Sequence, residues 1–157
     1  MNIVFNAASE QDTDRLGAAL AAALPPGTTV ALLGTLGAGK TRLVQAIAAA
    51  SGIDRGEVTS PTFVLCQKHV GTRTIYHLDA YRLKDDDEFR ELGPEEFFES
   101  DGLTLVEWAD KVEGSLPDER LEIEIEVTGP TQRRFAIRAI GPRLEPTIEQ
   151  IGRLLDP

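Results

Sequence analysis

An apolar run, Val30 to Leu33, enters GTLGAGKT (Gly34 to Thr41) and then RLVQAIAAAS, which has helical periodicity and neither proline nor interior glycine. Glycines at these places let the backbone curl until successive N–H groups face one hollow. A helix that begins there adds the positive end of its dipole. The pattern G-x-x-x-x-G-K-[ST] is satisfied in full and in its proper strand–loop–helix setting. Such a hollow suits phosphate. Lys40 would reach the β- and γ-phosphates of a nucleotide, and the Thr41 hydroxyl would ligate Mg²⁺.

The rest of the chain alternates strand and helix. NIVF (Asn2 to Phe5) reads as a short strand. Ser9 and Asp12, spaced as in a capping box, open a helix that runs until Pro25 and Pro26 end it. The helix after the loop stops at Gly52. Residues 58–70 and 74–83, around the turn Gly71-Thr72-Arg73, read as a strand hairpin. Two short acidic helices follow, split before Pro94, because proline disfavours helix at the residue preceding it. LTLVEW (Leu103 to Trp108) is an apolar strand. In LEIEIEV (Leu121 to Val127) the alternation of apolar residues with glutamate predicts a strand with one face in water. RRFAIRAI is its hairpin partner, and residues 145–156 form a last amphipathic helix. This order predicts an α/β fold, P-loop NTPase-like, with a mixed sheet covered by helices in a single domain spanning 1–157.

Composition narrows the chemistry. The net charge of −10 opposes direct, strong binding to a nucleic-acid backbone, whose affinity comes chiefly from lysine and arginine. With one cysteine, Cys66, and two histidines, His69 and His77, a structural zinc site lacks soft ligands, so a metal must be held by oxygen. No apolar run approaches the ~20 residues of a membrane span. The amino terminus has no secretory pattern, and the expectation is a cytoplasmic protein.

A phosphate loop needs a carboxylate at the end of a nearby strand to hold its metal. Glu107 ends the apolar TLVE, and Asp79 ends IYHLD. Each alone could be a solvated strand-end acid, but one behind each of two apolar strands suits a metal ligand plus a carboxylate that positions water. His77 shares a strand face with Asp79 and reads as a packed residue. Trp108, the one tryptophan, is placed either to cover the site or to pack in the core. TSPT (Thr59 to Thr62) reads by its chemistry as an ordinary turn.

Among nucleotide users, a GTPase is disfavoured because no N-K-x-D motif occurs. A small-molecule kinase and a non-hydrolysing, ATP-dependent interaction module remain as alternatives to an ATPase.

Taken in order and at these separations, GTLGAGKT, VTSPTF, YHLDAYRL and VEW closely resemble the bacterial TsaE family over about residues 9 to 127. The resemblance implies a small Mg²⁺-dependent P-loop ATPase that acts with TsaB and TsaD in making threonylcarbamoyladenosine in tRNA. Those partners would supply the contact with tRNA, and hydrolysis would support repeated turnover of the complex. Carried onto this chain, it implies a nucleotide-binding set of Thr13, Gly34, Gly37, Ala38, Gly39, Lys40, Thr41, Arg42, Thr62 and Trp108. Thr41 and Glu107 would hold Mg²⁺, and Lys40, Asp79 and Glu107 would serve hydrolysis. Ser60, Pro61 and Thr62 would form a switch-like loop, and Arg133 or Arg134 would approach the nucleotide. The family commonly has aspartate where this chain has Thr35, a departure that bears on control of hydrolysis or on partner contact.

Overall fold

The computed structural model describes residues 2–59 and 65–156. Strand β2 (Thr29–Gly34), the apolar run before the loop, has the side chains of Val30, Ala31 and Leu32 closed off from water. A strand this apolar is stable only with cover on both faces, and it lies in the middle of the sheet. The other strands are β1 (Asn2–Ala7), β3 (Cys66–Val70), β4 (Thr74–Asp79), β5 (Leu103–Glu107), β6 (Arg120–Val127) and β7 (Arg133–Ile140). Their order across the sheet is β1-β7-β6-β2-β5-β4-β3. Strands β6, β2, β5 and β4 run parallel to one another, and the β7–β6, β1–β7 and β3–β4 pairs are antiparallel. The carboxyl ends of the parallel strands therefore open on one edge.

Helices α1 (Glu10–Ala23), α2 (Lys40–Ala50) and α5 (Glu145–Leu155) cover one face. Leu16, Leu20, Leu43, Ile47, Ile148 and Ile151 pack there on Val30, Leu32, Leu105, Ile123 and Phe135. Helix α1 is capped as the Ser9–Asp12 spacing predicts: the Asp12 backbone N–H donates to Ser9 Oγ at 3.4 Å, and the Ala8 N–H donates to Asp12 Oδ2 at 2.8 Å. Gly17 lets α1 lie against α2, for a Cβ there would fall 2.4 Å from Ala46 Cβ. The opposite face is covered over β2, β5 and β4 by α3 (Asp86–Arg90), α4 (Glu95–Phe98) and a 3₁₀ segment, Ala109–Ser115. The two short acidic helices bury Phe89 and Phe97 and leave most of their carboxylates in water.

Two expectations are corrected. Strand β3 begins at Cys66; Val58 instead closes a 3₁₀ turn, Arg55–Glu57, that β3 does not extend. The glutamates of β6 do not all face water. Glu124 and Glu126 are exposed, but Glu122 is buried, because the 3₁₀ segment overhangs the first half of the strand and lines a pocket with it. Its charge is met by Arg120, whose Nε and NH2 lie 3.0 and 2.8 Å from Oε2, and by Arg138, which donates to Oε1. Among the described residues no helix is long and apolar enough to cross a membrane.

Candidate nucleotide-binding site

The loop leaves β2 and turns directly into α2. Gly37 (φ 78°) and Gly39 (φ 113°) occupy the left-handed region, which side-chain-bearing residues rarely adopt. Gly39 is the N-cap of α2, so the unpaired N–H groups of the first helical turn open toward the hollow. Lys40, the first helical residue, is almost fully buried. Its ammonium donates to the carbonyl oxygens of Gly34 at 2.6 Å and Thr35 at 2.9 Å, and lies 3.9 Å from the centre of the Trp108 ring. Burial pushes this amine below the usual lysine range, while the negative charges of Glu107, Asp79 and Asp110 act in the other direction.

The two strand-end acids are direct neighbours. In the parallel pairing of β4 with β5, Asp79 stands opposite Glu107, and Glu107 is in turn paired with Leu32 of β2. Glu107 thus sits one strand from the loop, with its side chain buried. Thr41 Oγ1 lies 2.9 Å from Glu107 Oε1 and 2.8 Å from Oε2. Asp79 Oδ1 accepts the backbone N–H of Tyr81 at 2.9 Å, which orients that carboxylate at the strand end. Hydroxyl and carboxylate oxygens converging beside a lysine are hard donors, the kind Mg²⁺ takes. The donor set therefore fits the ion.

Trp108 neither lies wholly in the core nor stands free. It is half-buried, packs on Tyr81 with ring centres 5.0 Å apart and planes tilted by 47°, and has φ 57° and ψ 38°. A bulky residue held in the left-handed region stores backbone strain, and here that strain aims the ring across Lys40.

Two cavities flank the loop. One, of about 320 Å³, is lined by Leu36, Gly37, Gly39, Lys40, Thr41, Arg42, Asp79, Tyr81, Glu107 and Trp108. The other, of about 630 Å³, lies across Gly37 and Gly39 and is lined by Thr13, Ala38, Arg42, Thr131, Arg133 and Phe135 among others. Thr13 and Trp108 therefore stand on opposite sides of the loop. Arg133 donates from Nε to the Ala38 carbonyl at 2.9 Å, whereas Arg134 faces Glu126 at 4.0 Å. The structure thus separates two arginines that the sequence left equivalent. Arg42 ties α2 to α1: its NH2 donates to Asp14 Oδ1 at 2.8 Å, and Arg55 meets the same oxygen at 2.8 Å. Burial works to raise the Asp14 carboxyl, but hydrogen bonds and charge from both arginines outweigh it and hold the group below the ordinary aspartate value. Ser60, Pro61 and Thr62 lie outside the described residues.

One participant in the site escaped the sequence reading. His77 is fully buried, and its Nε2 lies 2.5 Å from Glu107 Oε2. Its spacing from Asp79 showed a common strand face, but the pairing of β4 with β5 was needed to bring Glu107 to it.

A glycine loop rising from a central parallel strand into a helix, with acids ending the adjacent strands, places the chain in the P-loop NTPase-like class. The comparisons narrow this. The family model described as "Threonylcarbamoyl adenosine biosynthesis protein TsaE" matches residues 7–135. The chain is 39% identical over 144 residues to the tRNA threonylcarbamoyladenosine biosynthesis protein TsaE of Bacillus subtilis, covering 91% of this chain and 89% of that one. It is 36% identical to the protein of the same name from Treponema pallidum, covering 82% and 95%. The crystal structure of Bacillus subtilis YdiB superposes with a TM-score of 0.82 at 32% identity, over 98% of this chain and 95% of that one. This chain belongs to the TsaE family.

Proposed function

We propose that this protein binds ATP with Mg²⁺ and hydrolyses it slowly, as a partner-coupled step in the biosynthesis of threonylcarbamoyladenosine in tRNA. The observation that carries the reading is the meeting of Lys40, Thr41, Asp79 and Glu107 at the foot of the glycine loop. The names of the TsaE relatives supply the pathway.

In this reading the N–H groups of Gly37 to Thr41 hold the phosphates, and Lys40 exchanges its loop carbonyls for phosphate oxygens. Thr41 and Glu107 would hold Mg²⁺, which when bound would draw charge from the β- and γ-phosphate oxygens. Asp79, oriented by the Tyr81 N–H, is placed to align a water molecule for in-line attack. Trp108 restricts water around the Lys40 ammonium. The larger cavity, with Thr13 and Arg133, takes the nucleoside. Catalysis of phosphoryl transfer is mostly positioning and charge stabilisation, so groups supplied by a partner raise a slow intrinsic rate. TsaB and TsaD are the proposed partners and the cytoplasm the proposed compartment. With a net charge of −10, contact with tRNA falls to the partners.

The test is phosphate release from Mg-ATP by the purified protein, alone and with its own TsaB and TsaD, with Lys40→Ala as blank. A slow, lysine-dependent rate that changes when the pair is added is the expected result. Release at the level of the blank under both conditions would overturn hydrolysis.

A further inference from the structure

We infer that His77 is a positioning residue for Glu107: its Nε2–H holds the carboxylate in place for the cation. The inference rests on the Mg-ATP reading above and adds to it a residue that touches neither phosphate nor metal.

Three observations carry it. Among the described residues, Thr41 and His77 are the two hydrogen-bond partners of the Glu107 carboxylate. The Thr41 hydroxyl, an expected ligand of the same cation through a lone pair, has a single O–H and so can hold only one carboxylate oxygen at a time. His77 supplies the second anchor, at Oε2. The second observation is the direction of that contact. A carboxylate only accepts, so the 2.5 Å contact puts a proton on Nε2, pointed at Oε2. The third is that Nδ1 is buried without a hydrogen-bond partner among the described residues. An apolar side chain of similar shape would leave no such polar atom unmet. Packing does not account for an imidazole here, whereas the hold on Glu107 does.

Outer partners of this kind orient ligand groups, and their loss typically lowers metal affinity. The experiment uses the full-length protein and two variants, His77→Leu, which lacks the donor, and His77→Gln, whose amide carries an N–H near the position of Nε2. Manganese binding in the presence of ADP is read by electron paramagnetic resonance, and the melting temperature of each variant is recorded. Hydrolysis is followed against Mg²⁺ concentration to separate the half-saturating Mg²⁺ from kcat. In the metal-free parent, imidazole ¹⁵N shifts should show the Nε2–H form of His77.

His77→Leu should fold with a lowered melting temperature, because buried Glu107 loses a donor, and bind manganese about tenfold more weakly or worse. Its half-saturating Mg²⁺ should rise in step with little change in kcat, and His77→Gln should stay near the parent. Equal manganese affinity in His77→Leu and parent would overturn the inference, as would a Nδ1–H tautomer. If His77→Leu does not fold, His77→Asn takes its place, a polar residue too short to reach Glu107. Weakened manganese binding in it supports the positioning role, and parental binding overturns it. A parent that binds neither nucleotide nor manganese would overturn the proposed function itself, a result distinct from the others.

Discussion

The Thr41 hydroxyl lies within 2.9 Å of both carboxylate oxygens of Glu107, so a residue of the loop helix and a residue of the neighbouring strand end share one small polar site. If this site holds Mg²⁺, neither group is replaceable by one that keeps its shape alone. Thr41→Val and Glu107→Gln should each raise the Mg²⁺ needed for half-maximal hydrolysis, and neither should prevent folding. Magnesium titrations of phosphate release check this, and removal of Mg²⁺ with a chelator should abolish release in the parent.

Lys40 spends its charge on two loop carbonyls and on the face of Trp108. A hydrogen bond from a charged group is worth about 1.5–3 kcal/mol, so Lys40→Ala should weaken ATP binding by about 10- to 100-fold. Calorimetry with a non-hydrolysable ATP analogue reads the loss directly.

Trp108 is the one tryptophan of the chain and lies 3.9 Å from the Lys40 ammonium. Movement of that charge toward phosphate changes the field on the indole. Tryptophan emission should therefore shift on addition of Mg-ATP, and the shift should shrink in Lys40→Ala at saturating nucleotide. An emission spectrum indifferent to nucleotide in the parent would contradict the placement of phosphate at this loop.

Glu122 offers a pH-dependent test away from the site. Burial works to raise its carboxyl, but hydrogen bonds and charge from Arg138 and Arg120 prevail and hold it below the usual glutamate value. A depressed carboxyl stabilises the fold above its unfolded pKa, about 4.3, and loses that contribution as pH falls through the lower folded value. Glu122→Gln should cost about 1–3 kcal/mol at pH 7, because buried Arg120 loses its nearer carboxylate, at 2.8 Å, and keeps only Glu113, at 3.7 Å. The gap between variant and parent should close as pH drops below about 4. Urea unfolding at neutral and acid pH measures both.

The close approach of α1 to α2 sets a packing prediction. A Cβ at Gly17 would meet Ala46 Cβ at 2.4 Å and the Ala46 carbonyl carbon at 2.6 Å, and backbone cannot swing aside as a side chain can. Gly17→Val should destabilise by about 2–3 kcal/mol. Because α1 and its N-cap also carry Thr13 and Ser9 on the wall of the larger cavity, ATP affinity should fall with it.

The sequence by itself determined the local pieces. The glycine loop, its lysine and threonine, the Ser9 cap, the break before Pro94 and the acids at the ends of two apolar strands are all set within a few neighbouring residues. Their signals are steric or periodic and need no distant partner. Which strands lie side by side is decided over long separations, and that decided the rest. The register of β4 on β5 placed Asp79 opposite Glu107 and gave His77 its carboxylate, 30 residues away in the chain. The 3₁₀ segment folding over β6 buried Glu122, although the alternation in that strand reads the same at Glu122 and Glu124. Likewise, Arg133 and Arg134 are adjacent in sequence, and the pleat sends only the first to the loop. Periodicity states which residues share a face, but only the packed sheet states what that face meets.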